Sequence, residues 1–351
     1  MSTGSRGAGG LTPAQMRLLS PVLSGLAGEG GPLRVASDVA LRPGVHRLVV
    51  QGSRSRRHVV VKRLGSNRSD LERRLLSRWL PGAGLPGLGP PFLAAVAEPD
   101  GSRVWHVYDD LGDSGLDRDE VDVARVLLAM ERLADLHAAF LGHRLLPEVR
   151  FAAGDLGSYF YARSVRDAVR CLTRLGAGGR ELSAQDRKTR DEVLHLLTAL
   201  LDDEPARVGL LEERAGPESL LHGDLTRENV LVGAAGATPQ VRFIDWDHVG
   251  VGPVAFDLST HVVGYHGHLR RLVLDSYVSA LADRGVTWAP ATDWDRLVAT
   301  LEAGRLANQV IWITNRILEG DPWGFRALAD WGGALAAVLC GDGADRQAAA
   351  P

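Results

Sequence analysis

The sequence is poor in lysine, cysteine and long apolar runs. Among forty Lys and Arg residues only Lys62 and Lys188 are lysines. Cys171 and Cys340 have no CxxC partner and no histidine at metal-ligand spacing, which predicts reduced thiols and, by default, a cytoplasmic protein. Residues 1–10 lack the apolar stretch of a signal peptide. No run approaches the roughly 20 apolar residues that span a bilayer, so we expect no membrane partner.

A strong charge and several well-known motifs are also missing. The formal net charge of −3 gives no reason to expect a nucleic-acid partner, which usually requires a basic face. The absence of Gly-Lys-Ser/Thr excludes a Walker-type phosphate loop. The absence of His-Glu-x-x-His and Gly-x-Ser-x-Gly excludes a zinc-protease helix and a hydrolase nucleophile elbow. At 351 residues the chain can form one large domain or two modest ones, and its oligomeric state stays open.

Two apolar, β-branched runs each lead to a carboxylate. Residues 220–232 contain Asp224 and, five residues later, Asn229, while residues 241–248 contain Asp245. Two acids and a carboxamide beside buried strands are the groups that Mg²⁺ and a hydroxyl nucleophile require. The pattern therefore indicates ATP-dependent phosphoryl transfer.

Lys62 is a lysine in a chain that uses arginine at almost every other basic position. It lies in a Val-rich strand predicted over His58–Leu64, and the slim lysine stem is not replaced by the planar fork of arginine at a tight phosphate site. The alternative is that a lysine occupies position 62 by chance and has no specific role. The next helix, predicted to begin at Ser69-Asp70 and to run through Leu80, carries Glu72 on its apolar stripe. A buried acid needs a cation, so we expect Glu72 to pair with Lys62; a Glu72 that faces water is the alternative.

Hydrophobic periodicity predicts a small antiparallel sheet followed by helices. The sequence predicts a helix over 11–26 and strands over 33–39, 46–50, 58–64, 92–97 and 103–108. It predicts further helices over 120–140, 159–175, 186–201, 254–263, 268–284, 292–318 and 323–339. The polar, Gly-bearing break after Tyr108 is the expected hinge, and Gly250-Val251-Gly252 is expected to form a turn.

The ordered set of Lys, Glu, Asp-x4-Asn and Asp resembles the protein-kinase-like superfamily. His222-Gly223-Asp224 through Asn229 is similar to its catalytic loop, in the form seen in aminoglycoside phosphotransferases and choline-kinase-like enzymes. Ile244-Asp245-Trp246 resembles their metal-binding motif. Weaker similarities lie at Glu72–Leu80, at Leu133–His137 and at Gly252–Leu258, and the last implies that Asp257 braces the catalytic loop. The resemblance extends from about residue 33 to at least residue 260.

This resemblance implies an α+β protein with a two-lobed protein-kinase-like fold: a small antiparallel-sheet N-terminal lobe and a mainly helical C-terminal lobe. Residues 1–12 would be a disordered tail. Residues 13–112 would form the nucleotide-binding lobe, with the hinge at 108–113. Residues 113–351 would form the helical lobe, which carries the catalytic loop 222–229, the metal motif 244–247 and a helical insertion at about 141–217.

The resemblance also implies a role for each site residue. Asp224 would be catalytic, orienting the substrate hydroxyl or accepting its proton, and Asn229 and Asp245 would hold Mg²⁺ on the phosphates of ATP. Lys62 would contact those phosphates and be held by Glu72, while the backbone at the hinge would bind adenine. The cofactor-binding positions would thus be Lys62, Glu72, Tyr108, Asp110 and Leu111.

The chain departs from the protein-kinase pattern in ways that bear on the substrate. Arg42-Pro43-Gly44-Val45 stands where a GxGxxG loop would be, and Asp245-Trp246-Asp247 replaces Asp-Phe-Gly. Eleven residues separate Asp245 from Asp257, too few for a segment that docks a peptide. We therefore expect a small hydroxylated molecule as the substrate.

The identity of that molecule stays open at this point. A cationic antibiotic, in a resistance or biosynthetic enzyme, would call for acids such as Asp202-Asp203-Glu204, Glu212-Glu213 and Asp247. A choline- or homoserine-type metabolite kinase is an alternative, and a choline-like cation would call for an aromatic box, for which Trp246, Tyr265, Trp312 and Trp323 are candidates. A catalytically idle kinase-like binding protein is the remaining alternative.

Overall fold

The computed structural model describes residues 10–26, 34–52, 55–116, 121–177, 181–235, 238–288 and 294–348. Most of the expected disordered tail, residues 1–12, lies outside the described residues. The chain forms two compact units, the first from Met1–Ala129 with Arg227–Asp247 and the second from Met130–Thr226 with His248–Pro351.

Strands and helices follow the expected order, with several additions. The strands are β1 (Arg34–Arg42), β2 (Val45–Gln51), β3 (Arg56–Gly65), β4 (Phe92–Ala97), β5 (Arg103–Asp109), β6 (Glu218–Leu221), β7 (Val230–Ala235), β8 (Thr238–Phe243) and β9 (Gly250–Pro253). The helices are α1 (Pro13–Leu26), α2 (Ser66–Arg74), α3 (Leu80–Gly82), α4 (Val123–Phe140), α5 (Leu146–Ala153), α6 (Ser158–Ala177), α7 (Ala184–Asp202), α8 (Glu204–Arg214), α9 (Ala255–His261), α10 (Gly267–Asp283), α11 (Trp294–Leu318) and α12 (Gly324–Ala348). None of the helices within the described ranges combines the length and the apolarity needed to cross a membrane.

The first unit is built on a five-stranded antiparallel sheet in the order β1-β2-β3-β5-β4. Because side chains alternate along a strand, β3 presents Val59 and Val61 to one face and Val60 and Lys62 to the other. Val59 and Val61 are fully buried in an apolar cluster against α1. The opposite face is thereby left to carry Lys62. The small antiparallel sheet and the mainly helical remainder of the chain are confirmed.

Helix α2 begins at Ser66, three residues before the expected start. Gly65 precedes it in an extended conformation, so Ser69 and Asp70 lie inside the helix instead of capping it. Ser69 is buried and its Oγ lies 2.7 Å from Nε2 of His106 on β5. The helix places Glu72 on its inner side, where only 2% of that residue is exposed.

A β-hairpin of β7 and β8 brings two of the expected site residues to the same end. Val230 pairs with Phe243, and the N–H of Ile244 donates to the carbonyl of Asn229 at 2.9 Å. Asn229 directly precedes β7 and Asp245 follows β8 by two residues. Antiparallel pairing therefore places the start of one strand beside the end of the other.

The second unit is mainly helical. Helix α11 lies at its centre and packs against α6, α8, α9 and α12. The expected turn at Gly250-Val251-Gly252 is wrong: these residues form β9, which pairs with β6. A Cβ at Gly252 would lie 3.0 Å from the carbonyl carbon of Leu156. The glycine thus permits the close approach of two backbones within a strand.

Candidate active site

In the first unit the ammonium group of Lys62 contacts three carboxylates. Its Nζ lies 2.7 Å from Oδ1 of Asp245, 2.7 Å from Oδ1 of Asp247 and 3.5 Å from Oε2 of Glu72. The expected pairing of Lys62 with Glu72 is therefore present. Helix α2, strand β3 and the segment after β8 together supply this cluster.

Two arginines complete the charge balance of the cluster. Arg42, at the end of β1, donates from Nη2 to Oδ2 of Asp245 at 2.7 Å. Arg68, in the first turn of α2, lies 3.3 Å from Oδ2 of Asp247. Three cations thus oppose three acids in a partly buried position, which is the condition for retaining charged groups away from water.

The pKa values within the cluster keep Lys62 and Asp245 ionised. Burial lowers the pKa of Lys62, but the neighbouring carboxylates outweigh it and raise that pKa above its ordinary value. Burial likewise raises the pKa of Asp245, but Lys62 and then Arg42 outweigh it and hold the pKa of Asp245 below its ordinary value. Glu72 differs: burial raises its pKa, and the attraction of Lys62 offsets burial only in part.

Asp245 also has an unusual backbone. Among the described residues it is the one residue other than glycine with a positive φ, at 65°. Aspartate tolerates the left-handed region better than most residues, but the conformation still costs free energy and is characteristic of functional sites. The salt bridges to Lys62 and Arg42 stabilise the side chain that this backbone presents.

A cavity of about 530 Å³ opens beside the cluster within the first unit. Lys62, Glu72, Asn229 and Asp245 line it, together with residues 108–113 of the expected hinge. A cavity of this volume is within the usual range for small-molecule and cofactor sites. The structure thus brings every cofactor and metal position named from the sequence to the wall of one cavity.

A second cavity of about 490 Å³ shares Arg42, Lys62 and Asp245 with the first. Three further arginines line it, namely Arg63, Arg68 and Arg103. Cations therefore outnumber acids around this second space, which favours an anionic occupant.

The residues of the expected hinge are held by an ion pair and by hydrogen bonds. Asp110 accepts from Arg47 at 3.1 Å and from the backbone N–H of Gly112 at 3.0 Å. The side chain of Tyr108 is buried, and its hydroxyl lies 2.9 Å from Nδ1 of His106. The N–H of Leu111 makes no hydrogen bond within the described part of the chain, so a backbone donor is left at the cavity wall.

In the second unit the loop around Asp224 depends on a glycine. Gly223 has a φ of 82°, and a Cβ there would lie 1.9 Å from the carbonyl oxygen of His248. Only glycine fits both the left-handed backbone and the close contact. The N–H of Thr226 then donates to the carbonyl of Asp224 at 2.8 Å, which closes a tight turn directly after Asp224.

Asp257 braces this loop from beneath, as the resemblance implies. Its carboxylate is fully buried and accepts from the backbone N–H of His222 at 2.7 Å and of Gly223 at 2.8 Å. Its Oδ2 also lies 3.2 Å from Nε2 of His137. Burial raises the pKa of Asp257, but the hydrogen bond with His137 and the other donors outweigh it, so the net pKa is lowered and the acid stays ionised.

Asp224 is half-buried and lines a cavity of about 280 Å³ within the second unit. Helix α11 contributes Arg305, Asn308 and Gln309 to the same cavity, and α12 contributes Trp331. Burial lowers the pKa of Arg305, but its pairing with Glu302, together with the charge of Asp224, raises it overall. The second unit therefore presents a carboxylate, a guanidinium and two carboxamides to one space.

The buried Lys–Glu pair beneath an antiparallel sheet, the braced His-Gly-Asp loop and the helical second unit define a kinase-like fold. The model of the phosphotransferase enzyme family matches residues 48–297, and the chain belongs to that family. No curated protein sequence matches the chain.

Solved structures of small-molecule kinases share this fold. An ethanolamine kinase of Plasmodium vivax is 13% identical with a TM-score of 0.58, over 88% of this chain and 81% of that one. A macrolide 2′-phosphotransferase of Brachybacterium faecium is 18% identical with a TM-score of 0.55, over 88% and 96%. An aminoglycoside phosphotransferase of Streptomyces rimosus, solved with ADP and streptomycin, is 19% identical with a TM-score of 0.50, over 81% and 97%.

The acids and aromatics suggested for a cationic substrate are mostly engaged elsewhere. Asp247 is bound to Lys62 and Arg68, and Glu204 is buried in an ion pair with Arg166. Asp203 lies 3.0 Å from Nε of Arg207. These three acids form ion pairs with side chains of the protein, so they do not form an open anionic surface for a substrate.

The expected aromatic box is also not supported. Trp246 is 1% exposed, and its indole N–H donates to the carbonyl of Phe243 at 2.8 Å. Tyr265 is 2% exposed. Side chains this deeply buried in a core are packed against protein and do not present a face to a ligand, whereas Trp312 and Trp323 are exposed.

Proposed function

We propose that this chain is an ATP- and Mg²⁺-dependent O-phosphotransferase that acts on a hydroxyl of a small molecule. The observation that carries the proposal is the contact of Lys62 with both Glu72 and Asp245 at the wall of a cavity that the hinge residues also line. A phosphate-binding lysine, the acid that holds it and a metal-binding acid are the parts that phosphoryl transfer requires.

The nucleotide would occupy the cavity of about 530 Å³ in the first unit. The backbone donor of Leu111 suits the adenine ring, and the hydrogen bonds of Asp110 hold the chain on either side of it. The triphosphate would lie against Lys62 and Arg42, which line this cavity and the arginine-rich one beside it. Arg42 would thus supply a charge where a glycine-rich loop would supply backbone N–H groups.

The donor set at the end of the hairpin fits magnesium. Asn229 offers a carboxamide oxygen and Asp245 a carboxylate, and Mg²⁺ prefers oxygen ligands, with one or two from protein carboxylates and the others from phosphates and water. Both residues line the same cavity. When bound, the metal neutralises charge on the phosphates. Lys62 and Arg42 hold Asp245 in place from either side of its carboxylate.

Asp224 would act on the acceptor. Its carboxylate would receive the hydrogen bond of the substrate hydroxyl and orient that oxygen for attack on the terminal phosphorus of ATP. The new O–P bond forms as the bond to the bridging oxygen of ADP breaks, and the hydroxyl proton passes to Asp224 and then to water. Because a carboxylate is a weak base, orientation of the hydroxyl contributes more than proton removal.

The solved relatives support this assignment of substrates in general terms. They include an ethanolamine kinase and a macrolide phosphotransferase, and the Streptomyces rimosus enzyme was solved with ADP and streptomycin. All three are kinases or phosphotransferases of small molecules. The cytoplasm, where ATP is abundant and Cys171 and Cys340 would remain free thiols, is the proposed location.

Calorimetric titration of the full chain with ATP, with and without Mg²⁺, together with ADP release over a panel of hydroxylated acceptors, tests the proposal. We expect ATP to bind more tightly with Mg²⁺ and ADP to be released only when an acceptor is present. Absence of ATP binding would contradict the proposal. ATP binding without transfer to any acceptor would favour an idle kinase-like binding protein.

A further inference from the structure

The cavity beside Asp224 has a distinctive chemical composition. Its lining contains one acid, Asp224, which the proposed function already assigns to the acceptor hydroxyl, and one permanent cation, Arg305. The other polar groups are Asn308, Gln309 and His248. The second acid close by, Glu302, is buried and accepts from Nε of Arg305 at 2.9 Å. No further carboxylate among the described residues of the lining is left to meet a positive charge.

This composition disfavours a cationic acceptor. The charge of Arg305 is already balanced by Glu302, so the lining offers an anionic acceptor no unbalanced cation, and it offers a polyamine or a quaternary ammonium one acid, Asp224. Of the acids suggested from the sequence for such a substrate, Asp247, Glu204 and Asp203 are held by Lys62, Arg166 and Arg207, and none of the suggested acids lines this cavity. An acceptor with several positive charges would therefore find only Asp224, which the proposed function assigns to the acceptor hydroxyl, to compensate them.

The same composition suits an uncharged molecule with many hydroxyls. Carboxamide side chains both donate and accept hydrogen bonds, as hydroxyl groups do, and a guanidinium donates in a fixed fork. The partly buried aromatic residues Phe160 and Trp331 also line the cavity. The rings of Phe160 and Phe256 pack edge to face at 5.9 Å. Aromatic faces beside polar groups can bind a ring that has one apolar face and a polar rim.

We propose that the acceptor is an uncharged, polyhydroxylated molecule of sugar-like chemistry. One hydroxyl is presented to Asp224, others are hydrogen-bonded by Asn308, Gln309 and Arg305, and an apolar ring face lies against the aromatic wall. This inference rests on the proposed function, since it names the substrate class of the same site.

The first test measures kcat/KM by ADP release with Mg²⁺ and ATP for three groups of acceptors. The neutral group contains hexoses, polyols, disaccharides and nucleosides, the cationic group contains aminoglycosides and choline, and the anionic group contains sugar phosphates. We expect the best neutral acceptor to exceed the best cationic or anionic one at least about tenfold, the difference that a hydrogen bond to a charged group typically makes.

The second test changes one residue of the cavity. Asn308→Asp keeps the size of the side chain but removes two donors and adds a negative charge. We expect kcat/KM for the best neutral acceptor to fall about tenfold while KM for ATP stays unchanged. Asn315→Asp is the matched control, because Asn315 lies on the same helix, is exposed and is outside the lining. It should leave both parameters unchanged.

The outcomes separate this inference from the proposed function. A preference for cationic or anionic acceptors, or turnover of no neutral acceptor although ATP binds, would overturn the inference alone. Equal effects of Asn308→Asp and Asn315→Asp on kcat/KM would overturn the assignment of this cavity as the acceptor site. Absence of both ATP binding and ADP release with every acceptor would instead overturn the proposed function.

Discussion

Nζ of Lys62 lies 2.7 Å from Oδ1 of Asp245, although the two residues are 183 positions apart in the sequence. The residue proposed to hold phosphate thus binds directly to the residue proposed to hold the metal. Each raises the stability of the charged form of the other, which is why the pKa of Lys62 is raised and that of Asp245 is lowered. The two side chains therefore fix the positions of each other's charges at the wall of the cavity.

Removal of the Lys62 charge should destabilise the protein. Lys62→Met leaves three carboxylates without their shared cation, and breaking a buried ion pair costs about 3 kcal/mol or more. Urea denaturation at pH 7 should show that loss. Lys188→Met is the control, since Lys188 is exposed and lies 3.8 Å from Glu192, so its removal should cost less than about 0.5 kcal/mol. Equal losses for the two variants would contradict the role of the cluster.

Arg42 should contribute to the binding of phosphate but not of adenine. Arg42→Ala should raise KM for ATP about tenfold, because a hydrogen bond between charged groups typically contributes about 1.5 kcal/mol or more. Binding of adenosine, measured by titration, should be unchanged. Arg56→Ala, at an exposed position on β3, should change neither. Equal weakening of ATP and adenosine binding would show that Arg42 acts only through the structure of the site.

Gly223 should not tolerate a side chain. Gly223→Ala forces a Cβ into the carbonyl oxygen of His248 and should lower kcat about 100-fold, because it displaces the loop that carries Asp224. Gly285 has a similar φ of 78° with nothing within 4 Å of its Cβ position. Gly285→Ala should therefore cost only about 1 kcal/mol of stability and retain activity. Full activity of Gly223→Ala would contradict the described loop.

His106 should make the stability depend on pH. Burial, with Lys62 and then Arg73, lowers the pKa of His106 to about 4. The unfolded chain binds a proton near pH 6.5 that the folded chain does not bind until about pH 4, so stability should fall as pH decreases through this window. The expected loss is about 2 kcal/mol between pH 7 and pH 4.5.

Comparison of denaturation curves at the two pH values checks this dependence. His106→Gln should weaken it, whereas His58→Gln, at an exposed position on the neighbouring strand, should leave it as in the wild type. If the stability of His106→Gln depends on pH as strongly as that of the wild type, another group is responsible for the pH dependence.

Local patterns in the sequence are sufficient to predict part of the candidate site. The period of two in β3 places Lys62 on the face opposite Val59 and Val61, and the helical period places Glu72 on the inner side of α2. The two elements are adjacent in the chain, so their pairing follows from local structure. The family motifs then supply Asp224, Asn229 and Asp245, whose roles stay predictions.

Long-range contacts are not encoded in such patterns. Arg42 binds Asp245 across 203 residues, and no motif marks Arg42 or the second carboxylate, Asp247, as a partner in the cluster. Arg305 has a weak signal, an i,i+3 spacing from Glu302 on a helix, but nothing in the sequence places it in a cavity. The sequence also leaves the role of Trp246 open, because an aromatic residue in a loop motif does not show whether its side chain faces a ligand or the core.

The most direct test of the central claim, phosphoryl transfer by Asp224, compares Asp224→Asn with the wild type. ADP release with Mg²⁺, ATP and the best acceptor should fall by about 1,000-fold, while ATP affinity and the free energy of unfolding stay within the error of the wild type. Asp275→Asn, at an exposed position on α10 of the same unit, should retain full turnover. Wild-type turnover in Asp224→Asn would contradict the account.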